Sequence, residues 1–217
     1  MCFFLHNAFL SGNAFALDWR LTPSLSMSEI FSDNLNLSGS AQEAGFVSEV
    51  APGISLYGAS PWSTANLNYR LQGLYNAGGS DAVDINHQLQ MNSLYQALRN
   101  TLFIETSSSI SQQNASNSFI AADNISGTGN RVETTTFNIS PYWTPHFGQY
   151  ASDLFKVGYN RASFDSASNS SQSSTQLPIS DSESYSKQAS IYSGSYFNRV
   201  SWGVDYSGTD NKRAAGQ

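Results

Sequence analysis

The feature that most constrains this chain is an alternation of apolar and polar residues at period two, which recurs from one end of the sequence to the other. The clearest example runs from residue 65 to 72 and reads Ala-Asn-Leu-Asn-Tyr-Arg-Leu-Gln. Successive side chains of a β-strand point to opposite faces, so this pattern predicts a strand with one apolar and one polar face.

The same alternation predicts strands at nine places, with Phe103 breaking the pattern in the fifth of them. Helical periodicity is hard to find in the rest of the chain. We therefore predict an all-β fold, an antiparallel up-and-down meander of about nine strands. The predicted strands span residues 19–27, 49–56, 65–72, 88–95, 102–110, 134–139, 155–160, 188–191 and 200–206.

The connections between these strands alternate in length. Those at 33–44, 76–84, 113–130 and 165–183 are long, whereas those at 58–61, 97–101, 142–148 and 197–199 are short. Outer-membrane β-barrels have short periplasmic turns and long extracellular loops. A β-sandwich with Greek-key crossings has no reason to keep this alternation. The spacing thus favours part of a transmembrane β-barrel.

Composition supports this interpretation. Charged residues make up 12% of the chain, about half the usual share of a soluble domain. Aromatic residues reach 13% and gather near the predicted strand ends, as in the two girdles of a membrane barrel. The net charge of -6 argues against nucleic acid as a partner. No apolar stretch approaches the length of a membrane-spanning helix, so any membrane crossing must use strands.

The first residues differ from the rest of the chain. Residues 1–16 form a short apolar stretch ending in Ala14-Phe15-Ala16, which fits the small-x-small pattern at a secretory cleavage site, but the usual positive segment is missing. We interpret 1–16 as a signal peptide remnant, with an ordinary buried strand as the alternative. Residues 17–217 are then the N-terminal portion of an outer-membrane β-barrel domain.

Several short segments in a fixed order resemble the PEP-CTERM system-associated outer-membrane β-barrel proteins, and more broadly porin-like barrels. They are Leu-Thr-Pro-Ser-Leu-Ser-Met-Ser-Glu at 21–29 with Asp33-Asn34, and the segments at 49–56, 68–72, 86–90, 109–114 and 193–202. The resemblance implies an outer-membrane protein of a bacterium that secretes exopolysaccharide and sorts proteins by exosortase. It implies no catalytic residues. Family members are longer and continue with further strands, whereas this sequence stops at Gln217 without a terminal aromatic residue, so we expect an incomplete barrel.

No constellation for catalysis, a cofactor or a metal is apparent in the sequence, and we expect a non-enzymatic protein. The three histidines, His6, His87 and His146, are not at metal-ligand spacing, and no Gly-x-Ser-x-Gly motif is present. Acidic residues of the connections could bind a divalent cation, but they lack EF-hand spacing and are more typical of solvated loops. These residues are Asp33, Asp81, Asp84, Asp123, Asp165, Asp181 and Glu183.

Four ionisable residues fall on the polar side of the predicted strands: Glu49, Arg70, Glu105 and Lys156. A charge on the lipid side costs about 2–4 kcal/mol for Arg or Lys at mid-membrane, so we expect these residues to face the lumen. There they either set selectivity for ions or sugars or pair across strands to hold the wall together. We favour the pairing.

These observations predict a pore or scaffold in the bacterial outer membrane, in which the resemblance suggests a link to exopolysaccharide secretion. The expected partners are outer-membrane lipid, lipopolysaccharide and the barrel assembly machinery. The transported solute or polysaccharide stays open. The alternative is a secreted or surface-attached β-rich adhesion or structural domain.

Overall fold

The computed structural model describes residues 18–35, 44–77, 83–114, 131–166 and 180–213, all strand or turn. The interpretation of 1–16 as a signal remnant lies outside the described residues. The strands are β1 (Asp18–Ser32), β2 (Gly45–Ser60), β3 (Ser63–Ala77), β4 (Val83–Leu98), β5 (Leu102–Asn114), β6 (Arg131–Trp143), β7 (His146–Phe147), β8 (Ala151–Ser166), β9 (Ser182–Ser193) and β10 (Gly203–Arg213).

All ten strands belong to one antiparallel sheet. Its order is β1-β2-β3-β4-β5-β6-β8-β9-β10, and the two-residue β7 pairs with β8 beside this path. Each strand of the path lies next to its neighbour in sequence, so the predicted meander of about nine strands is confirmed. In the described sheet β1 and β10 are the two edges, and the sheet is not closed.

Prolines lie where the ladder is interrupted or at its edge. The pairing of β2 with β3 is interrupted around Pro52, and that of β6 with β8 around Pro141. Pro23 lies in the edge strand β1. A proline cannot donate a ladder hydrogen bond, which explains these positions.

The predicted start of the last strand is wrong. Val200 and Trp202 were expected in the last strand, but β10 begins only at Gly203, and the connection spans residues 194–202. Backbone bonds from the Gly194 and Tyr196 amides to the Tyr150 and Gln149 carbonyls hold this connection. The ring of Trp202 contacts Phe197 edge-on. These local hydrogen bonds and ring contacts therefore replace the strand pairing that was expected for Val200 and Trp202.

The register gives the sheet two different faces, because residues paired across strands share a face. One face, which we call the apolar face, collects the hydrophobic members of each alternating strand, and many of them are exposed: Leu21 is 57% and Met27 70% exposed. On β1 to β4 its members include Trp19, Leu21, Leu25, Met27, Val50, Ile54, Leu56, Leu67, Tyr69, Leu71, Ile85, Leu89 and Met91.

The opposite surface, the polar face, carries Ser, Asn and Gln. It includes most of the buried residues of the sheet, such as Val47, Gln72 and Leu74, whereas Asn66, Asn68, Gln90 and Asn92 on the same face are exposed. Two hollows open mainly onto it, so it is the concave side. Within the described ranges the buried apolar side chains are few, and three of them, Leu35, Val47 and Leu74, form one small cluster. This sheet therefore has little hydrophobic core of its own.

The apolar face also carries charges, mostly toward the long connections. In β8 to β10 the register aligns Arg161, Glu183 and Lys212 in one row. Lys187 lies closer to mid-strand, and its ammonium reaches Asp210 at 3.7 Å, in the direction of the strand end. A long cationic side chain can cover apolar surface in this way while its charge stays near water.

We predict that a proline on the apolar face destabilises the protein far more in a central strand than in an edge strand. Leu67→Pro in β3 removes a ladder bond and should cost about 3 kcal/mol or more. Leu25→Pro is the matched control, because it lies in edge strand β1 two residues from Pro23 and shares its backbone orientation. Urea midpoints in detergent micelles, followed by tryptophan fluorescence, measure both. Equal losses would contradict the strand order.

Candidate functional site

The candidate site is the centre of the polar face, where the register aligns side-chain amides and hydroxyls into two rows crossing β2 to β6. We call these the amide rows. One contains Ser55, Asn68, Gln90, Ser109 and Thr136, and the other contains Tyr57, Asn66, Asn92, Ser107 and Asn138. Neighbouring strands lie about 4.8 Å apart, so each row presents polar groups at close spacing.

Five side-chain amides in or beside these rows make no hydrogen bond to the rest of the described protein. In the part of the chain that the structure describes, the side chains of Asn66, Asn68, Gln88, Gln90 and Asn92 have no hydrogen-bond partner. Elsewhere in the same rows the hydroxyls of Ser109 and Thr136 bond each other at 2.6 Å. The free amides of β3 and β4 therefore offer both donors and acceptors to whatever occupies the concave side.

Two hollows lie over these amides. The larger has a volume of about 640 Å³ and extends from Ser24 of β1 to Ser111 of β5. The smaller has a volume of about 320 Å³ and is lined by Asn66, Asn92 and Glu105 among others. Crossing five strands gives the larger hollow a width of about 19 Å, which suits an elongated occupant.

The carboxylate of Glu49 pairs with the guanidinium of Arg70 on this face. Arg70 lies opposite Gly53, and the next position toward Glu49 on β2 is Ala51. These small residues leave Arg70 a path along the sheet to Glu49. The Glu49 side chain is only 9% exposed and also accepts a bond from the Ser28 hydroxyl at 3.3 Å. Both charges of the pair are thus neutralised locally.

A second pair joins strands that are not neighbours. The Lys156 ammonium of β8 reaches across β6 to the Glu105 carboxylate of β5 at 2.5 Å. Ser140 and Gly158, both small, flank the path in the row of Glu105. Lys156 also lies over the Tyr142 ring, 5.5 Å from its centroid. The pair therefore ties three strands together above the sheet.

The sequence had placed Glu49, Arg70, Glu105 and Lys156 on one side of the strands. The register puts all four on the polar face, and the contacts bring them together as two pairs rather than as one cluster. Half-exposed Arg70, Glu105 and Lys156 keep some contact with solvent.

Phe103, which interrupts the alternation of its strand, also lies on the polar face. Its ring stacks on Tyr142 with centroids 4.9 Å apart. Sequence reasoning missed this contact and the free amides as features of a site. The signal for the amides was present, because each occupies the polar phase of a period-two strand; the Phe103 partner follows only from the register.

The other candidate residues do not assemble into a site. His87 lies on the apolar face, where its Nδ1 is 2.8 Å from the Tyr69 hydroxyl, and His146 is exposed in β7. The Asp181 carboxylate accepts a hydrogen bond at 3.1 Å from the backbone amide of Phe164, the residue before Asp165. No group of three metal-capable residues is found among the described residues. His6, Asp81 and Asp123 lie outside those residues.

Comparison with protein families, with curated proteins and with solved structures found no match to this chain. Within the described ranges no helix is long and apolar enough to cross a membrane.

We predict that the two ion pairs contribute differently to the free energy of unfolding. Arg70→Met leaves the Glu49 carboxylate buried without its charged partner and should lower the free energy of unfolding by about 2 kcal/mol. Lys156→Met disrupts a half-exposed pair and should cost about 0–1 kcal/mol. Urea unfolding measures both. Adding Glu49→Gln to Arg70→Met should recover part of the loss, and a double variant worse than the single one would contradict the pairing.

Proposed function

We propose that this chain is part of the wall of a bacterial outer-membrane β-barrel, acting as a pore or scaffold. The observation that carries the proposal is a single-layer sheet with exposed hydrophobic residues on its convex face and amides, hydroxyls and paired charges on its concave face. A contiguous exposed apolar surface of this kind marks a membrane or a partner. The alternation of faces is the one that barrel strands require.

The height of the apolar surface fits a bilayer. On β3 the apolar face runs without a polar interruption from Ala65 to Tyr75. Ten residue steps span about 33 Å along a strand, and a tilt near 40° reduces this to roughly 25 Å. Outer-membrane barrels carry an apolar band of about that height.

Most charges of the apolar face fit the margin of such a band better than its centre. Lys187 starts closer to mid-strand, but its ammonium reaches toward the margin, 3.7 Å from Asp210. Arg161, Glu183 and Lys212 are toward the long connections, where headgroups would lie. Tyr159 and Tyr185 lie beside them with ring centroids 5.1 Å apart. Amphipathic rings and cations are favoured at that depth, and lipopolysaccharide is the lipid partner we propose there.

The role in exopolysaccharide secretion rests on the resemblance to the PEP-CTERM-associated barrels. Deletion of the gene in the bacterium that encodes it should lower the amount of cell-surface polysaccharide, and complementation should restore it. An unchanged polysaccharide layer would remove this role and leave the barrel itself untouched.

The alternative of a soluble adhesion domain fits the structure less well. Such a domain buries its apolar surface between two sheets. Here Leu21, Met27 and Val83 are more than half exposed on a single sheet. In water this surface would drive aggregation.

Membrane orientation can be tested with neighbouring residues of β3. Leu67→Cys and Asn68→Cys, each with Cys2→Ser, carry a spin label on opposite faces in lipid vesicles. We expect oxygen dissolved in lipid to quench the label at residue 67 more strongly, and a water-soluble nickel chelate to quench the label at 68. Equal water accessibility in a protein that stays soluble would favour the adhesion domain.

Closure gives a further prediction. Along the meander β1 and β10 run in the same direction, so joining them would create a parallel seam, which barrels with even strand numbers avoid. Residues 17–217 alone should give no stable unitary conductance in planar bilayers. Reproducible single-channel steps would show that these strands close unaided.

A further inference from the structure

The chemistry of the polar face points to a class of solute. We infer that the concave side binds uncharged, hydroxyl-rich molecules, of which oligosaccharides are the representative class, along the amide rows. This inference rests on the proposed function, because it assigns a solute to the interior of the proposed barrel. It concerns residues Asn66, Asn68, Gln88, Gln90 and Asn92, whose amides are free in the described structure.

The side-chain amides match sugar hydroxyls as hydrogen-bond donors and acceptors. A side-chain amide offers two N–H donors and one carbonyl acceptor. A sugar hydroxyl likewise donates one hydrogen bond and accepts others. An anion would require donors alone, and a metal cation would require oxygen ligands alone. Free amides in neighbouring strands thus suit a ligand that carries both functions at every position.

The charged side chains that line the two hollows are paired. Arg70 lines the larger hollow and Glu105 the smaller, and they bind Glu49 and Lys156, respectively. Arg20 of β1 lies in the row of Tyr57 but outside this lining. The two pairs therefore do more than join strands, since they leave no unpaired charge in the described lining to attract anions or cations.

The shape of the larger hollow suits an extended ligand. The larger hollow, about 640 Å³, falls within the range of ligand-binding pockets and crosses five strands. It is open along its length, so it suits a chain that lies across the sheet rather than a small enclosed molecule. The stacked rings of Phe103 and Tyr142 add no platform, because they cover each other and Lys156 lies over Tyr142.

Binding is tested with the full chain in lipid nanodiscs, using saturation-transfer NMR titrations. The probes are maltohexaose, which is neutral, and hexagalacturonate, which is anionic. We expect maltohexaose to bind at least tenfold more tightly. The double variant Asn68→Ala/Gln90→Ala should weaken maltohexaose binding at least tenfold. Leu67→Ala/Met91→Ala, a pair on the opposite face of the same strands that lines neither hollow, should leave it within twofold.

A second variant addresses the neutralised charges and does not depend on removing amides. Glu105→Gln releases the Lys156 ammonium, so the ratio of hexagalacturonate to maltohexaose affinity should rise at least fivefold relative to the wild-type chain. Equal affinity for the two sugars in the wild-type chain, equal losses in the two double variants, or no binding of maltohexaose would overturn the inference.

The spin labels at residues 67 and 68 separate the two levels of failure. If the label at 67 lies in lipid and the label at 68 lies in water, but maltohexaose does not bind, the solute assignment fails and the membrane wall stands. If the labels do not distinguish lipid from water, the proposed function itself fails.

Discussion

The backbone hydrogen bonding of one continuous sheet is the constraint on which the rest of this structure depends. Each inner strand satisfies its N–H and C=O groups through its two neighbours, so no second layer is needed to complete the ladder. The same pleat sends alternate side chains to opposite sides. The two faces therefore suit different surroundings, and in the proposed barrel lipid would meet the apolar face and water the polar face.

Small residues decide what the polar face presents. Gly53 and Ala51 leave room for Arg70 to reach Glu49, and Ser140 and Gly158 leave room for Lys156 to reach Glu105. Larger side chains at these four positions would keep the charges apart. Because the charges that line the hollows are paired, the amides of β3 and β4 dominate the chemistry of the hollows. The contacts that join these strands thus also leave no unpaired charge among the described residues of the lining.

The alternation of polar and apolar residues was sufficient to predict the meander and the face of each strand in β2 to β6. It failed where the pattern is weak. In Ser182–Ser193 the charged residues Glu183 and Lys187 interrupt the apolar face, so only residues 188–191 were predicted as β9. The charges of the apolar face, such as Lys187, were missed for the same reason. The ion pairs followed only from register, because Glu49 lies opposite Leu74 rather than Arg70, and one sequence does not specify which residues pair across strands.

The central claim is that the apolar face of this single sheet lies in lipid with its strands crossing the membrane. Polarised infrared spectroscopy of the protein in aligned bilayers tests it most directly, because the dichroism of the amide I band reports the tilt of the strands. We expect the strands to lie about 35–45° from the membrane normal, as in other barrels. Strands that lie in the plane of the membrane, or that show no preferred orientation, would contradict the account. Removal of the protein from the membrane by carbonate would contradict it as well.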